Sequence, residues 1–402
     1  MSRQTINPWL HRFALMTAGA TLVLIGIGGL VTSHEAGMAV PDWPNSYGYN
    51  MFLFPISKWM GGIFYEHSHR LVASVVGFLT TILCLWLWVR ETRSRQRWIG
   101  VGVIAAVILL MGVRQLPMYI ALASAAPLAI IYSAIQTRRD PSSLRWWGVM
   151  AFAAVILQGV LGGLRVVLFK DQIGIFHAIL AQMFLALLWA VALFTSQWWQ
   201  ERTMFSGALG ANSRLRQILL LSSVLIFAQL ALGATMRHQH AGPAIPDFPM
   251  AYGKVWPALD AQSIIAYNQQ RKEVIAVNPI TAAQIILQMV HRVLAFLILC
   301  AVIASACMAR KQLGAKHPLA KLTFFWLGLL FLQIVLGAST IWSNKAADIA
   351  TLHVLVGALS LASGTILTTV AYQRLKIQTA SVRQNATETV FHPGKPAAAH
   401  SN

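Results

Sequence analysis

Apolar residues come in long blocks along this chain, and polar residues are confined to the gaps between them. The blocks lie near 13–32, 66–89, 98–113, 117–135, 146–168, 175–198, 217–236, 286–309, 320–341 and 349–373. Most approach the ~20 residues that a helix needs to cross the hydrocarbon core of a bilayer. The pattern predicts an all-α polytopic membrane protein with ten spans. The blocks at 98–113 and 117–135 are short, so a re-entrant or interfacial element is the alternative there. From Gln378 to Asn402 the chain turns polar, with Pro and Ala, and reads as a disordered tail.

Composition agrees: 57% of the 402 residues are hydrophobic and only 11% are charged, against about a quarter in soluble domains. The net charge of +19 would suggest a nucleic-acid partner in a soluble protein. Here the positive charges fall in short loops. Arg90, Arg93, Arg95 and Arg97 follow the second block, and Arg138, Arg139 and Arg145 precede the fifth. Arg202, Arg214 and Arg216 separate the sixth from the seventh. Arg310, Lys311, Lys316 and Lys321 lie between the eighth and ninth, and Arg374 and Lys376 follow the last. That is the positive-inside pattern, which argues against nucleic acid and puts both termini in the cytoplasm. A bacterial plasma (inner) membrane is the expected location. The first block is too long for a signal-peptide core and lacks a small-x-small site before Thr32-Ser33-His34, so it reads as a membrane helix. Cys84, Cys300 and Cys307 all lie inside apolar blocks and show no zinc spacing, so they read as buried structural thiols.

The chain repeats itself. Glu35-Ala36-Gly37-Met38-Ala39-Val40-Pro41-Asp42-Trp43-Pro44, then Tyr47-Gly48, follows the first block. His240-Ala241-Gly242-Pro243-Ala244-Ile245-Pro246-Asp247-Phe248-Pro249, then Tyr252-Gly253, follows the seventh. Glu66-x-x-His69-Arg70 opens one helix and Gln288-x-x-His291-Arg292 another. Gln158-Gly159-Val160-Leu161-Gly162-Gly163 in the fifth block matches Gln333-Ile334-Val335-Leu336-Gly337-Ala338 in the ninth, and each precedes a helix with one early histidine, His177 or His353. Two tandem four-helix bundles follow. The first lies within 1–200 and the second within 201–377. They are expected to be related by a pseudo-two-fold axis along the membrane normal, because an even number of crossings per unit preserves orientation. The pair 98–135 has no counterpart and reads as an inserted hairpin with Arg114 outside.

His69, His177, His291 and His353 occupy equivalent depths, two per bundle. Ionisable side chains inside a membrane are costly and mark functional sites. Two neutral imidazoles facing each other across a bundle can fill both axial positions of a haem iron. A zinc site would need further ligands, and no such set recurs in both halves. The glycines of the neighbouring helices suit either a flat macrocycle or ordinary small-residue packing. Arg70 and Arg292, next to the histidines, suit either carboxylate pairing or interfacial snorkelling. Glu66 shares a helix face with His69, so it could serve as a base or stabilise a developing cation. The alternative is a solvated acid at a helix start. Gln288 at the equivalent place favours a chemical role in the first bundle only. His67 points elsewhere on the helix. His34, His238 and His240 read as loop residues, and His11, His317, His392 and His400 as solvent-exposed.

On Gly29-Leu30-Val31-Thr32-Ser33-His34-Glu35-Ala36-Gly37, Pro41-Asp42-Trp43-Pro44, Glu66-x-x-His69-Arg70, Gln158-Gly159-x-Leu161-Gly162-Gly163, His177-Ala178-x-x-Ala181-Gln182, His291-Arg292 and Leu352-His353, the chain resembles the haem A synthase family. The resemblance implies an eight-helix core that oxidises a ring methyl of haem O to a formyl group by successive hydroxylations. It implies haem b as cofactor on His291 and His353, with Arg292 beside it. It also implies substrate haem between His69 and His177, with Arg70 beside it and Glu66 at the reacting methyl. Candidate partners are haem O synthase, a terminal oxidase under assembly, membrane lipid and a second copy of the chain. The cysteine pair that some members carry in the first external loop is absent. A di-haem cytochrome b-type subunit would show two equivalent haems and no reactive carboxylate. A transporter with parallel repeats would show charge in mid-membrane, which no repeat span carries.

The hairpin assignment predicts that Arg114→Cys, in a background without native cysteines, reacts with an impermeant thiol reagent added to spheroplasts. Labelling confined to lysed cells would reverse that placement.

Overall fold

The computed structural model describes residues 7–113, 115–170, 172–201, 213–270 and 279–390. It is all-helical apart from one small ribbon. The helices are α1 Pro8–Ser33, α2 Gly62–Glu91, α3 Ser94–Met111, α4 Leu116–Arg139, α5 Arg145–Val167, α6 Gln172–Thr195, α7 Gln197–Glu201, α8 Ser213–His238, α9 Ala261–Gln269, α10 Ala282–Leu313, α11 Pro318–Trp342 and α12 Ala347–Val390. Ten of them are long and apolar enough to cross a membrane, and they coincide with the ten predicted blocks.

Local signals explain the boundaries. Asn7 Oδ1 accepts from the backbone N–H groups of Trp9 and Leu10 at 3.0 and 3.2 Å, and Pro8 occupies the first turn of α1. Thr281 and Gln284 form a reciprocal capping box at the start of α10. Glu91, at the end of α2, caps α5 from outside. Its carboxylate accepts from the Leu144 and Arg145 N–H groups and from the Ser143 hydroxyl at 2.7–3.1 Å. The polar stretch after Gln378 stays helical to Val390, where a tail was expected. That stretch has no Gly or Pro before Pro393, so nothing in it breaks the helix.

Helices α1, α2, α5 and α6 contact one another in a closed ring, and α8, α10, α11 and α12 form a second. Between the rings, α1 meets α12, α6 meets α8, and α6 meets α12. Exchanging the halves maps this set of contacts onto itself. Glu35 and His240, equivalent in the repeat, approach each other to 3.7 Å. Leu10, Leu83, Leu188 and Val191 are buried in the core of the first ring, and Leu219, Val302, Trp326 and Leu367 in that of the second.

Helices α3 and α4 lie outside the first ring. α4 packs along α5, while α3 touches its neighbours sparingly and buries only Ile104. A cavity of about 330 Å³ remains between the hairpin and α2 and α5. Arg114, the expected tip, lies outside the described residues.

Three minor expectations are corrected. His11 is half-buried, with Nδ1 3.0 Å from the Ala192 carbonyl oxygen. His317 is half-buried too, and its Nδ1 accepts the Leu319 N–H as the N-cap of α11. Cys84 is buried, but Cys300 and Cys307 are exposed. An apolar residue in a membrane helix can face lipid as readily as protein, so apolar surroundings in sequence did not imply burial.

Candidate haem-binding histidine pairs

All four predicted histidines are brought into the rings in pairs. His69 on α2 faces His177 on α6, with ring centroids 6.5 Å apart and planes at 78°. His291 on α10 and His353 on α12 are the equivalent pair. With metal–nitrogen bonds of about 2 Å and the short reach from ring nitrogen to ring centre, two axial imidazoles stand roughly 6 Å apart. The first pair fits that requirement. In every one of the four rings Nδ1 is buried and lacks a hydrogen-bond partner, and native structures rarely leave buried polar atoms so. Among the described residues, no cluster of three or more His, Cys, Asp or Glu forms a metal site. The donor chemistry therefore fits an axially ligated macrocycle, which brings its own four equatorial nitrogens, better than a bare ion.

Each imidazole enters its ring over a glycine of the neighbouring helix. A Cβ placed on Gly28, Gly162, Gly233 or Gly337 would lie 3.1, 3.3, 3.5 or 3.1 Å from Cε1 of His69, His177, His291 or His353 respectively. Four residues before three of these glycines stands a glutamine that donates to the backbone carbonyl of the same histidine. Gln158 reaches His177 at 3.1 Å, Gln229 reaches His291 at 2.9 Å and Gln333 reaches His353 at 2.9 Å. In α1 that position is Leu24. The sequence comparison paired the fifth block with the ninth but missed Gln229/Gly233 and Gly28. The recurring Gln-x-x-x-Gly spacing was the signal that would have found the former.

The loops after α1 and α8 are duplicated in detail. Asp42 accepts from the N–H groups of Tyr47 and Gly48, and Asp247 from those of Tyr252 and Gly253. The Tyr47 hydroxyl donates to the Ala39 carbonyl and that of Tyr252 to the Ala244 carbonyl. Gly48 and Gly253 adopt φ of 79° and 73°, a region open to glycine at little cost. Asn45–Ser46 pairs with Tyr49–Asn50, and Ala251 with Lys254. Trp43 in the first loop sits over Gly163 of α5 and edge-on to Tyr119 of α4, with centroids 4.8 Å apart. The hairpin thus buttresses the first loop.

Glu66, Arg70, Gln288 and Arg292 hold these loops to the helices. Glu66 is 4% exposed, which corrects the picture of a solvated helix-start acid. Its Oε2 accepts the Val40 N–H at 2.8 Å and its Oε1 pairs with Arg70 Nη2 at 2.6 Å. Arg70 also donates to the carbonyls of Val40, Asp42 and Asn45 at 2.6–3.0 Å. Its terminal nitrogens are therefore committed to the protein. In the second unit Gln288 alone grips Ile245, accepting its N–H at 2.8 Å and donating to its carbonyl at 3.4 Å. Arg292 donates to the carbonyls of Asp247 and Met250 at 2.7 and 2.9 Å. Thus the Glu66–Arg70 pair and Gln288 anchor equivalent residues by different chemistry.

Arg165 of α5 puts its guanidinium over Gly37 and against Gly174, three residues before His177. Arg237 of α8 donates to Gly29 O and Ser33 Oγ of α1 at 2.9 and 2.8 Å. Neither was singled out from sequence, because each reads as an ordinary basic residue at a helix end. His67 is fully buried, with Nδ1 3.0 Å from Ser46 Oγ and its ring against Phe54 and Trp59, so it is a loop anchor. His34 stacks on Tyr65 at 4.0 Å, and half-buried His238 packs against Gly174.

Comparison with known proteins points the same way. The model of the COX15-CtaA family, described as cytochrome oxidase assembly protein, matches residues 108–365, more than half of the chain. A protein named heme A synthase from Novosphingobium aromaticivorans is 26% identical over 370 residues, which cover 89% of this chain and 93% of that one. Another of that name from Halalkalibacterium halodurans is 21% identical over 355 residues, covering 86% and 93%.

Removing one partner of a buried ion pair leaves an uncompensated charge and costs about 3–5 kcal/mol. Arg70→Met is therefore expected to expose the segment 35–61 to added protease in spheroplasts. The double variant Arg70→Met/Glu66→Gln should regain part of the protection, since it removes the uncompensated charge and Gln288 shows that an amide can hold both the N–H and the carbonyl of the equivalent residue. Equal cleavage of the single and double variants would refute this account of the clamp.

Proposed function

Because the chain belongs to the COX15-CtaA family of cytochrome oxidase assembly proteins, we propose that it acts as a haem A synthase. It oxidises one ring methyl of haem O to a formyl group. The observation that carries this reading is the duplicated pair of glycine-backed histidines, each with a buried, unpartnered Nδ1. The two halves, related about the membrane normal, divide the work. His69 and His177 hold the substrate haem in the first ring, and His291 and His353 hold haem b in the second.

The four imidazoles bind and orient. The apolar ring interiors keep bulk water from the macrocycle, and this strengthens every electrostatic contact at its edge. Arg165 supplies positive charge beside the substrate pair, where an anionic substituent of the macrocycle would be received. Glu66 contributes negative charge three residues from His69, on the same face of α2. Its oxygens keep lone pairs beyond the two bonds they make. One hydroxylation gives the hydroxymethyl group and a second gives the gem-diol, each a two-electron oxidation of the substrate carbon by an external oxidant, and the gem-diol loses water to become the aldehyde. Haem b, when bound, supplies one-electron redox chemistry. The chain lies in the plasma membrane with both termini cytoplasmic and both histidine pairs in the outer half.

Expression in a host that makes haem O, followed by mass analysis of extracted haems, tests the activity. Haem A or its hydroxylated precursor is expected, and a membrane fraction with haem b alone would favour the di-haem cytochrome. His291→Ala and His353→Ala should each abolish the low-spin haem b spectrum, and an unchanged reduced spectrum in both would remove the cofactor assignment.

Glu66→Gln separates charge from anchoring, because Gln288 shows that an amide can hold the loop. The haem b spectrum should persist, haem O should accumulate, and the rate should fall roughly a hundredfold if the carboxylate acts on the reacting group. Near-normal haem A from this variant would leave Glu66 with the anchoring role alone.

A further inference from the structure

We infer that His69 is the exchangeable axial ligand of the substrate site and that His177 is its fixed one. The inference rests on the functional reading above and extends it to how substrate enters and product leaves.

The four histidines share one local device and differ in another. All four pack Cε1 against a glycine of the adjacent helix. The outer-loop clamp operates on both α2 and α10, through Glu66 and Arg70 or through Gln288 and Arg292. The difference lies four residues before the glycine. Gln158, Gln229 and Gln333 each donate a side-chain hydrogen bond to the backbone carbonyl of their histidine. Leu24 has no donor to offer His69.

Such a bond ties the helical turn that carries the imidazole to the neighbouring helix. It forms in an apolar ring where water does not compete for the carbonyl. With it, withdrawing the ring from a bound iron requires breaking an interhelical hydrogen bond as well as the axial bond. At His69 the residue in the equivalent place is Leu24, and no such bond ties that turn of α2 to α1. Both histidines of the second ring are tied, as a resident group requires. In the first ring one is tied and one is not. A haem that must arrive and depart in each catalytic cycle needs one ligand that stays in register and one that can let go. Gln158, Gln229 and Gln333 are on this account positioning residues.

Leucine and glutamine are close in size, so the missing tie can be supplied or removed with little change of volume. The experiment uses full-length protein, purified with its haems, and measures haem loss to excess apomyoglobin. In the wild-type protein a faster phase from the first ring and a slow phase from the second are expected. Leu24→Gln should slow the faster phase roughly fivefold, equivalent to about 1 kcal/mol. It should lower kcat where product departure limits turnover, without raising KM. The haem b spectrum, from ligands in the other ring, reports that the fold is intact. Gln158→Leu should speed the faster phase by a similar factor, and Gln333→Leu should speed only the slow one. If Leu24→Gln does not accumulate in membranes, Gln158→Leu decides. A faster phase that neither substitution changes overturns the assignment of His69 while leaving the site in place. A wild-type protein with no faster phase overturns the substrate-site reading itself, and this inference with it.

Discussion

An imidazole is bulky, and a helix in a packed ring leaves it little room. The four rings enter their bundles because the facing helix presents a residue with no side chain at that height: Gly28, Gly162, Gly233 and Gly337. Helix spacing, ring orientation and the depth of both pairs follow from that approach. At Gly28, Gly162 and Gly337 an added Cβ would press on Cε1, and a close-packed interior has little slack to absorb it. The glutamines one turn earlier use the same closeness, since a short amide reaches the next helix only where the backbones nearly touch.

Above the pairs, the outer loops are folded by their own hydrogen bonds and then tied down by α2 and α10. The two units solve that problem differently. A carboxylate and a guanidinium together do in one what a single amide does in the other. The contrast between Glu66 and Gln288 is therefore not by itself a sign of chemistry, since it is also two answers to one structural demand. What distinguishes Glu66 is that its answer leaves a buried negative charge a single turn from His69.

The ten spans were legible because hydrocarbon allows few other solutions for twenty apolar residues. Asp42/Asp247, Tyr47/Tyr252 and Gly48/Gly253 were legible as a duplicated loop because turn chemistry is strict about residue type. The histidines were legible because such residues are expensive in a membrane. Partner choice was less so. Arg70 suited either carboxylate pairing or interfacial snorkelling in sequence, but its donors close on Val40, Asp42 and Asn45, residues twenty-five to thirty positions upstream. Arg165 drew no attention in sequence, and the fold sets it over Gly37. Burial of Cys300 and Cys307 was misjudged because apolar sequence does not distinguish lipid from protein as a neighbour.

The hairpin also changes the order in which the molecule can be built. The second ring is made from spans that leave the ribosome with only the outer loop and α9 intervening. In the first, α2 must wait in the bilayer while α3 and α4 are threaded, and only then can α5 arrive to take the place beside it. The first ring thus remains open on one flank during synthesis. The insertion delays closure of the ring, and α4, already in the bilayer, gives α5 a surface to pack on as it arrives.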